Sequence, residues 1–373
     1  MTDLLNTLLD RRDLTQVQAS ELLRTLIAPG TPATRVAAAL IALRSKGETH
    51  EELAGLAGAM REAALSPQLP AGPPSIDIVG TGGDGAQTLN ISTAAALLLA
   101  AAGLEDGAEP RARRWRVIKH GNRAISSSCG SADVLAALGV PMPMTPLAAG
   151  EMLELTGFTF LFAPHYHGAT AAVQSVRREL GVRTVFNLLG PLTNPGRPDA
   201  LLIGAASPRA AQLMALAAHA LGQRATVVHT PAPAGPCDEA TTCAPFTVTL
   251  AGLDASQAGP LVREQDFDAR PQFARGGEPS LEPLRGQDAA FNAHAISAAF
   301  SGTPTPFAES VVLTAALALA TLRSELDRDW PVAEVRNAIS DGRARRLLDL
   351  IAALGPRLQS LCHAQQHTTE TPR

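Results

Sequence analysis

The sequence predicts an α/β protein, built as a small N-terminal α-helical domain followed by a larger α/β domain with a mainly parallel sheet. Three observations carry this reading. Apolar residues recur at helical spacing from Leu4 to Met60. A stretch rich in Pro and Gly, residues 66–75, then reads as a linker. Beyond it, short apolar runs alternate with helical patterns, the order that successive β–α units produce. With 373 residues, 46% of them hydrophobic, the chain has length and core enough for two domains.

Taken in order, Leu4, Leu5 and Leu8 share one helical face, and Val17, Leu22, Leu23 and Leu26 continue the pattern. Pro29-Gly30 breaks it, Thr34 or a neighbour restarts it, and Gly47 breaks it again before an amphipathic piece over 51–63. This part holds no catalytic constellation and reads as a wall or closing partner. Strands are expected over 76–79, 117–119, 159–162, 201–205, 225–228 and 246–250. Helices are expected over 93–102, 131–138, 146–156, 169–180 and 208–221, then over 284–321 and 332–353. The division is residues 1–70 helical, 74–355 α/β and 356–373 a polar tail, frayed over 363–373.

Composition narrows the ligand. Aromatic residues are 3% of the chain, too few for base-stacking platforms, and a net charge of −4 argues against a general polyanion surface. No nucleic-acid partner is expected, and positive charge for any phosphate ligand must be local. Arg111, Arg113, Arg114 and Arg116 form either such a patch or a solvated loop. Cys129, Cys237, Cys243 and Cys362 have neither zinc-site nor disulfide-framework spacing, which suits a reducing compartment. The first twelve residues carry Asp3 and Asp10 among leucines, unlike a signal peptide. The apolar run over 94–103 is about half the ~20 residues that span a bilayer. A cytoplasmic protein without a membrane segment is expected.

Two runs carry the chemistry. The stretch DIVGTGGDGAQTLNIST, residues 77–93, reads as strand, glycine turn and capped helix. Glycines let backbone N–H groups approach phosphate oxygens, and a helix N-terminus adds partial positive charge. It lacks both GxGxxG and GxxxxGK[ST], so neither a Rossmann nor a Walker site is indicated. The second run is Lys119-His120-Gly121-Asn122-Arg123, followed by Ser126-Ser127-Ser128-Cys129-Gly130-Ser131. Lysine and serine hydroxyls suit phosphate oxygens, while Ser131 also reads as the cap of a helix beginning at Ala132. Both runs follow predicted strands, where open parallel sheets bind ligands. Asp238-Glu239 offers hard oxygen ligands for Mg²⁺, although an isolated acidic pair also reads as solvated surface. His165 and His167 read as packing or hydrogen-bonding residues on an extended segment. Arg177 reads either as a carboxylate clamp or as a surface partner of Glu179.

Together the runs closely resemble the anthranilate phosphoribosyltransferase family. The matching pieces are GTGGDG at 80–85, NIST at 90–93, KHGNRAISS at 119–127, GSADVLAALGV at 130–140, RRELGVRTVFNLLGPLTNP at 177–195 and DE at 238–239. The resemblance implies a nucleoside phosphorylase/phosphoribosyltransferase-like fold, with the helical domain joined by a segment near 165–190, and usually a homodimer. It implies transfer of the phosphoribosyl group from 5-phosphoribosyl 1-diphosphate to the amine of anthranilate, a step of tryptophan biosynthesis. Carried over, Gly80, Gly83, Asp84, Thr88, Asn90, Ile91, Ser92 and Thr93 would line the phosphoribosyl diphosphate site. Lys119, His120, Gly121, Asn122, Arg123, Ala124, Ile125, Ser126, Ser127 and Ser131 would complete it. Ser92, Asp238 and Glu239 would hold two Mg²⁺, and Gly80, Asn122 and Arg177 would contact anthranilate. No residue is assigned as a catalytic acid or base, because an aromatic amine is already neutral.

The chain departs from the family pattern at Gly168, usually proline, at Ser128, usually lysine, and at Thr314, commonly asparagine. Residues 108–116 look inserted, and 232–236 lengthen the approach to Asp238. These departures bear on the acceptor. They leave open a paralogue using another aromatic acceptor, a related-fold nucleoside phosphorylase, and a non-catalytic homologue binding nucleic acid through Arg111–Arg116.

Overall fold

Local signals set the N-terminal bundle. The helices α1 (Thr2–Leu9), α2 (Gln16–Leu26), α3 (Ala33–Lys46) and α4 (His50–Glu62) open the chain. Thr15 and Thr49 each close a capping box with the residue three positions on, satisfying N–H groups that α2 and α4 would leave unpaired. Glu52 does this while fully buried, because Lys46 lies 3.0 Å away and the Leu14 N–H donates to its other oxygen. The computed structural model describes residues 2–104, 112–124, 128–232, 235–251, 262–273, 279–326 and 330–369.

The α/β part begins with β1 (Ser75–Gly80), α5 (Ile91–Ala102), β2 (Arg116–Gly121), α6 (Ser131–Ala137), α7 (Pro146–Thr156) and β3 (Phe158–Phe162). The chain continues through α8 (Ala163–Tyr166), α9 (Ala171–Leu180), α10 (Phe186–Leu189), β4 (Ala200–Gly204), α11 (Pro208–Ala220) and β5 (Arg224–Ala232). It ends with β6 (Gly235–Cys237), β7 (Phe246–Ala251), β8 (Val262–Phe267), α12 (Ala289–Phe300), α13 (Pro306–Arg323), α14 (Val332–Ser340) and α15 (Arg343–Thr369). The sheet runs β3-β2-β1-β4-β5-β7-β8, with β6 paired to β5. From β3 to β5 it is parallel, and β6, β7 and β8 add antiparallel pairings. The carboxyl ends of β1, β2 and β4 therefore lie at one edge, at Gly80, Gly121 and Gly204.

Alternation along the strands splits the interior into two cores. On one face Ile76, Ile78 and Leu202 pack with α5, α7 and α13. On the other, Val79, Leu201 and Ile203 pack with α11, with Leu53 and Leu56 of α4, and with Val173, Val176 and Phe186. The helical bundle thus shares a core with the sheet through the segment that carries α9 and α10. Helix α13 is long and apolar enough to cross a membrane, yet 83% of it is buried inside the protein, as the central core helix.

Several expectations change. Helix α5 starts at Ile91, not Thr93, and the segment over 284–321 is two helices broken near Gly302, whose φ is +88°. Residues 356–369 continue α15 instead of fraying, since Leu358 and Cys362 are buried against the core. The His165 segment is not extended. Pro164 starts a short helix there, its fixed φ suiting a first turn.

Candidate active site

The glycine turn after β1 meets the acidic pair after β6. Asp238 packs its backbone over Gly204 and its carboxylate over Gly80: a Cβ would fall 1.6 Å from the Asp238 carbonyl oxygen at the first and 2.3 Å from Oδ2 at the second. Only glycine permits that approach. The Gly82 N–H donates to Asp238 Oδ2 at 2.8 Å, and the Asp238 N–H donates to Asp84 Oδ2 at 3.1 Å. Beside them the Ser92 N–H at the start of α5 donates to Glu239 Oε1 at 3.3 Å. Gly80, Gly82, Asp84, Ser92, Asp238 and Glu239 are therefore one cluster, drawn from two stretches, 80–92 and 238–239, far apart in the chain. The solvated-surface reading of the acidic pair does not hold, since both side chains are half-buried and accept from the Gly82 and Ser92 N–H groups; burial and the neighbouring Asp84 push Asp238 up to about 7, and burial with Asp238 pushes Glu239 well up.

Lys119 lies beneath this cluster. It is 2% exposed, donates to the Ile78 carbonyl, and feels the charges of Asp77, Glu239 and Asp238, while burial lowers its pKa. Asp77, also buried, accepts from Asn194 Nδ2 at 2.9 Å and from the His120 N–H, and burial pushes it up to about 6. The second bond of Asn194 Nδ2, to the Ile118 carbonyl at 2.7 Å, ties β2 to the loop before β4. Asp77 and Asn194 were not singled out from the sequence. A carboxylate inside the apolar run of β1 is the signal that could have exposed the first.

The residues flanking the α5 N-terminus are mostly held by other parts of the protein. Ile91 is buried and its N–H is taken by the Leu89 carbonyl, so it contributes packing. Asn90 is held by Asn292 and the Cys129 carbonyl, and Thr88 bridges to Arg285. Thr93 Oγ1 is buried without a hydrogen-bond partner among the described residues. On the β2 side, Gly121 lies against Ser131 Oγ, and that hydroxyl donates to the Asn122 carbonyl at 3.2 Å. Ser131 is thus not the helix cap. Gly130 is the cap position, and Asp133, third in the helix, accepts from the Gly130 and Ala124 N–H groups and pairs with Arg123. Asn122 is exposed, its carboxamide turned back to the Arg123 N–H at 2.8 Å. Ile125, Ser126 and Ser127 lie outside the described residues.

Arg177, on α9, stands over the Phe186 ring at 5.2 Å and donates to Gln174 at 2.8 Å, not to Glu179. Glu179 instead accepts from Ser175. His120 and His167 meet edge to face at 5.2 Å, next to the Gly190 carbonyl. Burial pushes them down to about 3 and about 4, so both rings are neutral at ordinary pH, and His120 Nε2 is another buried polar atom without a partner among the described residues. A cleft of about 350 Å³ opens behind the glycine turn, lined by Thr81, Gly83, Arg183 and Arg209 among others.

The departures are structurally mild. A Cβ on Gly168 meets nothing within 4 Å, and Thr314 Oγ1 on α13 donates to the Ala240 carbonyl at 3.1 Å, directly under the acidic loop. Of the arginine run, Arg113 and Arg116 donate to the carbonyls of Ala100, Leu155 and Pro70, and Arg114 pairs with Glu334. These three are occupied in holding the fold, and Arg111 lies outside the described residues.

A divalent cation suits the donor set. Two half-buried carboxylates with raised pKa, backed by a third at Asp84, are negative charge that hard cations with oxygen ligands compensate. Among the described residues no group of three His, Cys, Asp or Glu is arranged to hold a metal.

Comparison with known proteins agrees with this geometry. Residues 2–64 match the helical bundle domain of a glycosyl transferase family, and residues 72–345 match its a/b domain. An anthranilate phosphoribosyltransferase of Desulfosudis oleivorans is 38% identical over 348 residues, covering 92% of this chain and 96% of that relative. One from Chloroflexus aurantiacus is 40% identical, covering 92% and 95%. The crystal structure of the anthranilate phosphoribosyltransferase from Thermus thermophilus superposes with a TM-score of 0.80 at 36% identity, covering 95% of this chain and 99% of that one. The Saccharomyces cerevisiae enzyme, solved in complex with PRPP and Mg, shares the fold at 24% identity and a TM-score of 0.78, covering 95% and 98%. By likeness along nearly its whole length and by the ordered motifs that meet at one sheet edge, the chain belongs to the anthranilate phosphoribosyltransferase family.

Proposed function

We propose that this chain transfers the phosphoribosyl group of 5-phosphoribosyl 1-diphosphate to the amine of anthranilate, giving N-(5-phosphoribosyl)anthranilate and diphosphate. One observation carries the reading: in a chain of this family, the glycine turn, Ser92, Lys119 and Asp238/Glu239 meet at the carboxyl edge of the sheet. Ser92, Asp238 and Glu239 would hold Mg²⁺, with two ions expected. Bound there, Mg²⁺ supplies positive charge against the diphosphate.

The protein's own part is positioning and electrostatics. Breaking the C1′–oxygen bond leaves negative charge on diphosphate, against which turn N–H groups and the Lys119 charge are preorganised. The residues resembling the family's diphosphate site, Gly80, Gly83, Asp84, Thr88 and Asn90–Thr93 with Lys119–Ser127 and Ser131, are assigned to that substrate. Gly80, Asn122 and Arg177 are assigned to anthranilate, Arg177 through the carboxylate. The neutral amine needs no base, so orientation and exclusion of water carry the rate. We read residues 1–70 with the segment near 165–190 as the unit that closes on 74–355. A cytoplasmic homodimer is the expected form, and Leu9, Val17 and Ile41, large apolar residues exposed on the bundle, suit a second copy of this chain.

Purified protein with both substrates and Mg²⁺ should quench anthranilate fluorescence as product forms. Folded, metal-replete protein that leaves the signal unchanged would overturn the reading, and a panel of other aromatic amines then identifies the acceptor. Asp238→Asn with Glu239→Gln should shift the Mg²⁺ concentration needed for activity. Superimposable metal titrations would remove the pair from the site.

A further inference from the structure

We infer that Arg183 is the positioning residue of the glycine turn, aiming its N–H groups at the diphosphate. The inference deepens the proposed function and rests on it. Gly82, Gly83 and Gly85 take φ of +65°, +71° and +79°, a backbone region that glycine enters readily but does not hold by itself. Arg183 Nη1 donates to the Gly83 carbonyl at 2.7 Å, and Nη2 donates to the Gly82 carbonyl at 3.3 Å. The planar guanidinium spans two successive peptides, a geometry that a lysine ammonium does not reproduce.

The consequence follows from the peptide plane. In a trans peptide the C=O and the following N–H point in opposite directions. Fixing the Gly82 carbonyl on Arg183 turns the Gly83 N–H away from it, and fixing the Gly83 carbonyl does the same for the Asp84 N–H. On the opposite flank the Gly82 N–H reaches Asp238, so the turn is held from two sides. The guanidinium also fills the place of a side chain at residue 83, where a Cβ would lie 2.1 Å from Nη1. Without Arg183, an incoming anion would have to order the turn itself and would bind more weakly.

Arg183 is joined to the acceptor side only through the chain. It follows α9, which carries Arg177 and packs Val173 and Val176 into the core shared with the helical bundle. One segment therefore supplies the proposed carboxylate clamp and the brace of the phosphate turn, a direct physical link between the two half-sites.

The test compares wild type, Arg183→Ala and Arg183→Lys by calorimetric titration with 5-phosphoribosyl 1-diphosphate and Mg²⁺, without acceptor, alongside melting temperature and steady-state kinetics. We expect Arg183→Ala to weaken that binding by about ten-fold or more, with melting temperature and the anthranilate KM unchanged. The lysine variant should recover part of the loss, and added guanidinium chloride at millimolar concentration should recover part for alanine, against a sodium chloride control. Unchanged binding in Arg183→Ala overturns the inference. So does a fall in melting temperature with both KM values rising together, which would mark Arg183 as merely structural. Wild type that binds the diphosphate substrate but leaves anthranilate unreacted would sink the acceptor reading, while the Arg183 comparison still reads out. Wild type that fails to bind it overturns both.

Discussion

The two halves of the candidate site are built differently. The phosphate half is cross-linked by bonds between residues far apart in sequence: Gly82 to Asp238 and Ser92 to Glu239 each join positions more than 140 residues apart, and Asn194 reaches back to Asp77. The two acceptor side chains, Arg177 and Asn122, are held locally. Arg177 bonds to Gln174, three residues earlier, and Asn122 bonds to the next residue's N–H. A highly charged ligand gains most from dipoles and charges fixed before it arrives. A small aromatic acid can instead displace the local bonds that hold its binding groups in reserve.

The sharpest way to break this contrast is to remove the charge under the phosphate half. Lys119→Met conserves volume but leaves Asp77, Asp238 and Glu239 without their buried cation. Stability should fall by about 3–5 kcal/mol in chemical denaturation. A loss below about 1 kcal/mol, the scale of an ordinary exposed pair, would mean that the half is not charge-linked.

Next in size is a pH effect at Asp77, whose carboxyl burial pushes up to about 6, with Lys119 and Asn194 pulling it back. A raised folded pKa favours the protonated form in the native state. Its stabilisation is complete below the unfolded value of about 4 and is lost as pH rises through about 6. Relative to Asp77→Asn, wild type should therefore lose roughly 3 kcal/mol from well below pH 4 to well above pH 6. Urea titrations at several pH values measure the difference, and parallel pH profiles would contradict the assignment.

These two residues also show what a sequence can and cannot disclose. The parallel strands were legible because each holds a short apolar run, and β1, β2 and β4 end in glycine. Strand β8, VREQDF, was not, since it is an edge strand exposed through most of its length and has no apolar face to reveal its period. Likewise β6, three residues including Pro236, is too short to show any pattern. Within the site, the glycine turn could be named as an anion site from its own residues, while Ser92 and the acidic pair took their roles only from the family resemblance. Asp77–Asn194 and Arg183 could not, because their meaning lies in partners about 100 residues away. Ser131 misled for a related reason: a serine at a helix start reads as a cap, and only the fold shows that Gly130 holds the cap position, tied back by Asp133.

On the acceptor half, Arg177→Ala should raise the anthranilate KM by the worth of one charge-assisted contact, about 1.5–3 kcal/mol, and leave stability nearly unchanged. Burial lowers the Arg177 pKa, but a guanidinium stays charged throughout the working range. Steady-state kinetics with the diphosphate substrate saturating isolates the effect. A matching rise in the KM for that substrate would mean the halves are not separable at Arg177, and would point to the shared α9 segment as the cause.

The smallest effect asks whether the core feeds the phosphate half. Thr314 lies on the buried α13 and donates to the carbonyl of Ala240, the residue after Glu239. Thr314→Val keeps the shape and deletes that donor, leaving a buried carbonyl unpaired at a cost of about 1 kcal/mol. Because the acidic loop is also held by Gly82 and Asp84, the carboxylates should move little, and the Mg²⁺ dependence should shift only slightly. The anthranilate KM should stay fixed, since α13 reaches the site through the acidic loop. If it rises while the Mg²⁺ dependence stays put, the acidic loop acts on the acceptor, and the division between a braced half and a locally held half fails where the two substrates meet.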